Sequence, residues 1–292
     1  MTQPTLPSRR AMIRAAAAMT VVAGFPLTGC AKEPSSAAPS TAPPSDPWRG
    51  LKAGIATYSF RKLALDACIK GIQRVDLHYC SIKDAHLALT STPEQRKEVS
   101  KQFRDAGIMP LSCGNITIKN EAMARQAFEY ARDIGVPTIV CAPDPDTLPM
   151  LDKMVKEFDV KLAIHNHGPE APHFKSPTEV WEAIQSVDPR IGLCIDVGHT
   201  FRAGEDPAEA MRKYKTRLYD CHFKDVADPH GKGAQVEVEV GRGVMNIPAM
   251  LAALLEIKYA GHLGFEHEKT PQDPLPGVAE SVGYTKGLLR VM

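Results

Sequence analysis

From Gly54 to Glu268 the chain alternates short apolar runs with longer stretches whose apolar residues recur at helical spacing. The runs are GIATYSF (54–60), GIQRVDLHY (71–79), IMPLSC (108–113), VPTIVCA (136–142), VKLAIHNH (160–167), IGLCIDVGH (191–199), LYDCHFKD (218–225) and GHLGFEHE (261–268). Near-continuous apolar runs of this length suit strands covered on both faces, as in a parallel sheet. The stretches between them carry helix boundaries. Thr92 stands as an N-cap before Pro93 and Glu94, and Gly107 closes that stretch; Ser176-Pro177 opens 176–187, and an apolar face runs through 247–261. Eight strand-and-helix repeats predict an α/β fold of the (β/α)8 TIM barrel type, a single domain over residues 48–292. A doubly wound open sheet is the competing architecture, and no Gly-rich phosphate turn supports it here.

In such a barrel the C-terminal strand ends form the active face. The fifth run ends in His165 and His167, the sixth in Asp196 with His199 just beyond, the seventh in His222 and Lys224, and the eighth in Glu266 and Glu268. Residues two apart on a strand share a face. A carboxylate closing an apolar strand is costly to bury unless something positive meets it. One polar strand end would read as the start of a loop. Four neighbouring strands that aim His, Asp, His and Glu at one mouth read as a metal centre.

Composition changes the picture mainly at the N-terminus. The 292 residues are 43% hydrophobic and 24% charged with a formal net charge of +1, which offers no global field for nucleic acid or an anionic membrane and leaves only local basic patches open. Ser8 to Arg14 places paired arginines before the apolar stretch 15–30, too short to span a bilayer comfortably. The arginines resemble a twin-arginine export signal, and Leu27-Thr28-Gly29-Cys30 resembles a lipobox whose cysteine is lipidated after cleavage. Residues 31–47, rich in Pro, Ser and Ala, read as a tether. The expectation is an exported protein, held by a lipid on Cys30 at the periplasmic or cell-surface face of a bacterial membrane. Cys68, Cys80, Cys113, Cys141, Cys194 and Cys221 lack the spacing of a disulfide framework and read as small buried hydrophobes.

CIDVGHTFRAGEDPAEAMRKYKTRLYDCHFKDV (194–226) and VGRGVMNIPAMLAALLEIKYAGHLGFEHE (240–268) resemble the xylose-isomerase-like TIM barrels, often called sugar phosphate isomerases/epimerases. The resemblance implies one divalent metal held by Asp196, His222 and Glu266, with His199, Lys224 and Arg202 in contact with substrate. Where the sugar epimerases read Glu-Asn-His at the fifth strand, this chain reads His165-Asn166-His167. With His165 as a fourth ligand the donor set becomes two His, one Asp and one Glu, which suits Mn, Co, Ni, Fe or Zn better than Mg or Ca; His165 beside the ligands, bonding Asp196 or water, is the alternative.

A cation of this kind makes the C–H next to a sugar carbonyl acidic through an enediolate, and a base must then move the proton. Glu266 is the base on one side, with Glu268 close by and within reach of substrate, and His167 or Lys224 serves on the other. The implied activity is an isomerase or epimerase of an unphosphorylated sugar or sugar derivative. Lysis or hydrolysis of a 3-keto-glycoside is the alternative on the same site, and a non-catalytic sugar-binding lipoprotein is another. An endonuclease IV-like reading, with Asp228 and His230 as further ligands, conflicts with the near-neutral charge. The expected partner is a small sugar; no nucleic acid is expected, and a homo-oligomer is left open. The loop 167–174, with His173 and Phe174, and the alternating segment 235–243, with Arg242, are expected near the mouth, the latter as a lid.

Overall fold

The computed structural model describes residues 46–231 and 236–292. The export segment 1–30, Cys30 and the tether up to Ser45 lie outside the described residues. Eight parallel strands close a barrel in which each repeat lies beside the next and the first strand pairs with the last. They are β1 (Lys52–Ala56), β2 (Tyr79–Ile82), β3 (Met109–Ile118), β4 (Thr138–Pro143), β5 (Lys161–His165), β6 (Ile191–Asp196), β7 (Leu218–Phe223) and β10 (His262–Phe265). The helices α1 (Leu65–Arg74), α2 (Pro93–Asp105), α3 (Glu121–Ile134), α4 (Leu148–Phe158), α5 (Pro177–Ile184), α6 (Val197–Arg202), α7 (Pro207–Lys213), α8 (Ile247–Glu256) and α9 (Leu275–Val291) separate the strands, α6 and α7 together serving the sixth repeat. The expected (β/α)8 barrel is the fold observed.

Two apolar runs divide differently from the sequence reading. Only the start of 54–60 is strand, since Thr57–Phe60 forms a 3-10 turn. The run 71–79 holds the last turn of α1 and the turn that follows it, and its strand begins only at Tyr79. Cys68, Ile72 and Val75 fall at i, i+4 and i+7, so what looked like a strand is the buried face of a helix.

Between β7 and α8 a two-stranded antiparallel hairpin, β8 (Asp225–Val226) with β9 (Glu237–Val238), is added beside the mouth. Asp225 ties it down: its carboxylate accepts from the N–H groups of Val226, Gly241, Gly243 and Met245 at 2.9–3.2 Å.

Inside the barrel the side chains stack in layers. Val140, Ala163 and Cys194 form a small apolar layer beneath the mouth. Nearer the strand starts, Asp220 accepts from Ser112 Oγ at 2.5 Å and lies 3.3 Å from His262 Nδ1. All six cysteines outside the N-terminal segment are buried and unpaired.

Candidate metal centre

Each principal side chain of the mouth is held by the backbone around it. Asp196 ends β6 and caps α6, its Oδ1 accepting from His199 N–H at 2.9 Å. The Asn166 side chain accepts from Asp196 N–H at 3.0 Å, and Thr200 donates to the Asp196 carbonyl at 2.6 Å, so the strand end is clamped from both sides. His165 is the last residue of β5, His222 lies within β7, and the Glu266 N–H donates to the Phe223 carbonyl at 3.1 Å just past β10.

One donor atom from each of His165, Asp196, His222 and Glu266 lies within 4.8 Å of the others, and all four residues are buried. His165 Nε2 is 2.9 Å from His222 Nδ1 and 3.3 Å from Asp196 Oδ2; His222 Nδ1 is 3.1 Å from Glu266 Oε2. Two imidazole nitrogens face each other, and Asp196 Oδ2 is buried without a hydrogen bond. Burial drives the His165 imidazole well below its usual range, outweighing Asp196, and so keeps it neutral. Neutral nitrogens and ionised oxygens are the forms that a metal requires. The residues present therefore fit a divalent cation, and the N2O2 donor set fits the borderline metals.

The charge balance supports the same fit. Asp196, Glu266, Glu237 and Glu268 surround two ammonium groups. Lys224 Nζ lies 3.1 Å from Asp196 Oδ2, 3.0 Å from Glu266 Oε2, 3.1 Å from Glu268 Oε1 and 3.7 Å from Glu237 Oε2. Lys83 Nζ lies 3.8 Å from Glu266 Oε1 and 3.4 Å from His222 Nε2. Burial pulls the Lys224 ammonium down, but its carboxylate neighbours outweigh that and hold it well above its usual range. Burial raises Asp196 and Glu266, yet Lys224 with His199 and His165 in one case, and His222 with Lys224 and Lys83 in the other, keep both well below theirs. The surplus negative charge is relieved at Glu237, whose carboxyl keeps its proton, pushed up to about 8 by burial and by Glu268 and Glu266.

His167 and His199 stand beside this cluster, their rings 4.4 and 5.8 Å from that of His165. The Asn115 amide meets His167 Nε2 at 2.8 Å. Asn115 follows Gly114, whose φ is +105° at an irregularity of the β3–β4 pairing; a Cβ there would lie 2.0 Å from the Val140 carbonyl oxygen, so glycine alone fits. Arg202 is tied to the rim by Gly231 O at 2.8 Å, by Glu170 and by His199 Nδ1 at 3.3 Å. Glu268 reaches the cluster through Lys224.

Other sequence candidates fall elsewhere. Phe174 is packed in the core and His173 is exposed. Arg242 pairs with Glu280 of α9 at the surface. The Asp228 carboxylate accepts from His230 N–H in its own loop, outside the cluster. The sequence reading missed Lys83, Asn115 and Glu237. Lys83 follows the end of β2, a position that would have signalled the mouth had that strand been placed correctly. Glu237 alternates with Glu239 in the hairpin, a pattern read only as a lid.

A closed barrel with two imidazoles and two carboxylates gathered at its C-terminal strand ends defines a class, the single-domain (β/α)8 barrels with a candidate metal centre at the mouth. The chain belongs to the xylose isomerase-like TIM barrel family, whose model matches residues 76–288.

Among curated relatives, an inosose dehydratase of Clostridium tetani is 32% identical over 27% of this chain and 26% of its own length. One of Geobacillus kaustophilus is 26% identical over 40% and 42%. The chain thus spans between a quarter and less than half the length of the relatives it matches. Two solved structures share the fold. The IolI protein with a bound zinc atom has a TM-score of 0.69 at 16% identity, covering 82% of this chain and 99% of that one. The 3-keto-D-glucoside 4-epimerase YcjR of E. coli has 0.65 at 14%, covering 83% and 100%.

Proposed function

We propose that this protein is a divalent-metal-dependent isomerase or epimerase of an unphosphorylated sugar or sugar derivative. The observation that carries the reading is the convergence of His165, Asp196, His222 and Glu266 donor atoms within 4.8 Å in a buried mouth. When bound there, a divalent cation polarises a substrate carbonyl and makes the neighbouring C–H acidic. His165, Asp196, His222 and Glu266 would hold it. The names of relatives and fold neighbours, an inosose dehydratase and a keto-glucoside epimerase among them, agree with a carbonyl-bearing polyol or sugar as substrate.

The remaining chemistry belongs to side chains. Glu266, held ionised, is the proton acceptor on one face of the substrate, and its other neighbour Lys224 places a fixed positive charge where oxyanion charge develops. His167 is the carrier on the opposite face. With Nε2 accepting from Asn115, its proton sits on Nδ1, and burial keeps the ring neutral. His199 and Arg202 bound the pocket on the α6 side and orient hydroxyls, with Glu268 opposite them. Loss or hydrolysis of a β substituent is the second reading, favoured by the dehydratase names of the curated relatives and by the proton held on Glu237.

Incubation in deuterated water with unphosphorylated ketoses and with a 3-keto-glucoside separates the two. A rearranged sugar, deuterated next to the carbonyl, is expected by NMR and mass. Stoichiometric release of the aglycone, with every ketose untouched, would overturn the isomerase reading in favour of the second. We further propose export and anchoring through lipid on Cys30, a reading supported by the paired arginines Arg9 and Arg10 and by the sequence Leu27-Thr28-Gly29-Cys30. Membrane association that survives Cys30→Ala would remove that anchor from the account.

A further inference from the structure

The starts of the barrel strands, at the end opposite the mouth, enclose a second cavity. It has a volume of about 340 Å3 and is bounded by the first residues of five strands: Lys52, Thr138, Lys161, Leu218 and His262. That size falls within the range of small-molecule sites. Four lysines line it, Lys52, Lys161, Lys215 and Lys258, and no carboxylate does. Elsewhere on this near-neutral chain Lys70, Lys101, Lys156 and Lys286 are paired with acids. The floor lysines form no such pair among the described residues, so no carboxylate at the cavity neutralises their charge.

A second feature is independent of the lysines. His262 forms part of the cavity wall and is 2% exposed; its Nδ1 lies 3.3 Å from the buried Asp220 carboxylate, and its Nε2 has no hydrogen-bond partner among the described residues. Its ring is accommodated by two glycines. A Cβ on Gly54 would lie 2.7 Å from Nε2 and one on Gly264 2.6 Å from Cε1. A buried ring nitrogen left without a partner, here Nε2, is costly unless a ligand or water completes it. Lys161 is also positioned, its Nζ 4.6 Å above the ring of Tyr219, whose hydroxyl is fixed on the Pro189 carbonyl.

We propose that this floor cavity binds the phosphate group of a small phosphoester. Lysines act as mobile point charges suited to a tetrahedral polyanion, whereas a carboxylate would favour the planar fork of arginine, which is missing from the lining. The wall formed by Leu111, Pro137, Leu218 and Ile257 receives the organic part of the ester. The same glycerophosphate chemistry is offered by a soluble ester and by a phospholipid headgroup, and the site is separate from the metal centre at the other end of the barrel.

Glycerol 3-phosphate, titrated calorimetrically into the protein, tests the soluble source. Co-sedimentation with phosphatidylglycerol vesicles, against phosphatidylcholine vesicles, tests the headgroup with Cys30→Ala protein, so that an acyl anchor does not contribute. One equivalent of glycerol 3-phosphate, or phosphatidylglycerol-selective sedimentation, is expected, weakened about tenfold or more by Lys161→Glu with Lys258→Glu. Lys215→Glu alone should weaken it by a smaller factor, and each variant should keep the wild-type melting temperature, as these side chains are exposed. Binding of neither probe by the wild-type protein overturns the proposal. So does binding that the folded double variant retains in full.

Discussion

Glu237 keeps its proton because it is buried beside two other carboxylates, and the Lys224 ammonium only partly offsets them. The linkage has a definite sign. In the metal-free protein its carboxyl titrates near 8 when folded and near 4.5 when unfolded, so the folded state binds the extra proton between those values. The stability tied to that proton is complete below about pH 4.5 and is lost as pH rises through about 8. Glu237→Gln, isosteric with the neutral acid, should therefore leave stability near pH 5 almost unchanged and raise it near pH 9. Urea unfolding of both proteins in chelator at the two pH values measures this, and equal curves at pH 9 would contradict it. Hydrophobic pattern marks strand ends, which is how His165, Asp196, His222 and Glu266 were legible from sequence. It says nothing about a carboxylate delivered by a hairpin that folds back from the seventh repeat, and Glu237 was missed for that reason.

At the scale of elements, local chemistry predicts well and tertiary context predicts poorly. The helix from Thr92 was legible because its start is written in the neighbouring residues Thr92, Pro93 and Glu94; the structure adds a capping box, in which Thr92 accepts from Gln95 N–H while the Gln95 side chain accepts from Thr92 N–H. The second strand was not, because Ile72 and Val75 satisfy a short apolar run and a helical face equally well. The error also hid Lys83, one residue beyond the true strand. The hairpin β8–β9 depends on a single residue that no periodicity marks. Asp225→Ala would leave four backbone N–H groups without their acceptor, so a loss of about 3 kcal/mol or more is expected by urea unfolding. Hydrogen exchange at Gly241 and Gly243 should accelerate more than in the barrel strands. Unchanged protection at those two amides would show that the hairpin is held by something other than Asp225.

At the scale of the whole molecule the proposed ligands are unevenly distributed. His165, Asp196, His222 and Glu266 come from β5, β6, β7 and the residue after β10, four strands adjacent in the barrel order, while β2 and β3 lead only to Lys83 and Asn115. A cation at the mouth would cross-link one half of the barrel and leave the other bound by its strand pairing and core. Repeats of strand and helix made the closed barrel legible, but which half carries the centre rests on residue chemistry alone. A ligand that binds only the folded state stabilises it by about 2.7 kcal/mol at one hundred times its dissociation constant. For a domain of this size that corresponds to a rise of roughly 5–10 °C in melting temperature. Titration with Zn or Mn after chelator treatment should produce that rise in the wild-type protein. In His222→Ala, which removes a nitrogen facing both His165 and Glu266, the metal-dependent increment should vanish, while circular dichroism still shows a folded barrel. If the same increment persists in that variant, the metal is bound elsewhere, and the four strand ends form an ionic network that needs no cation.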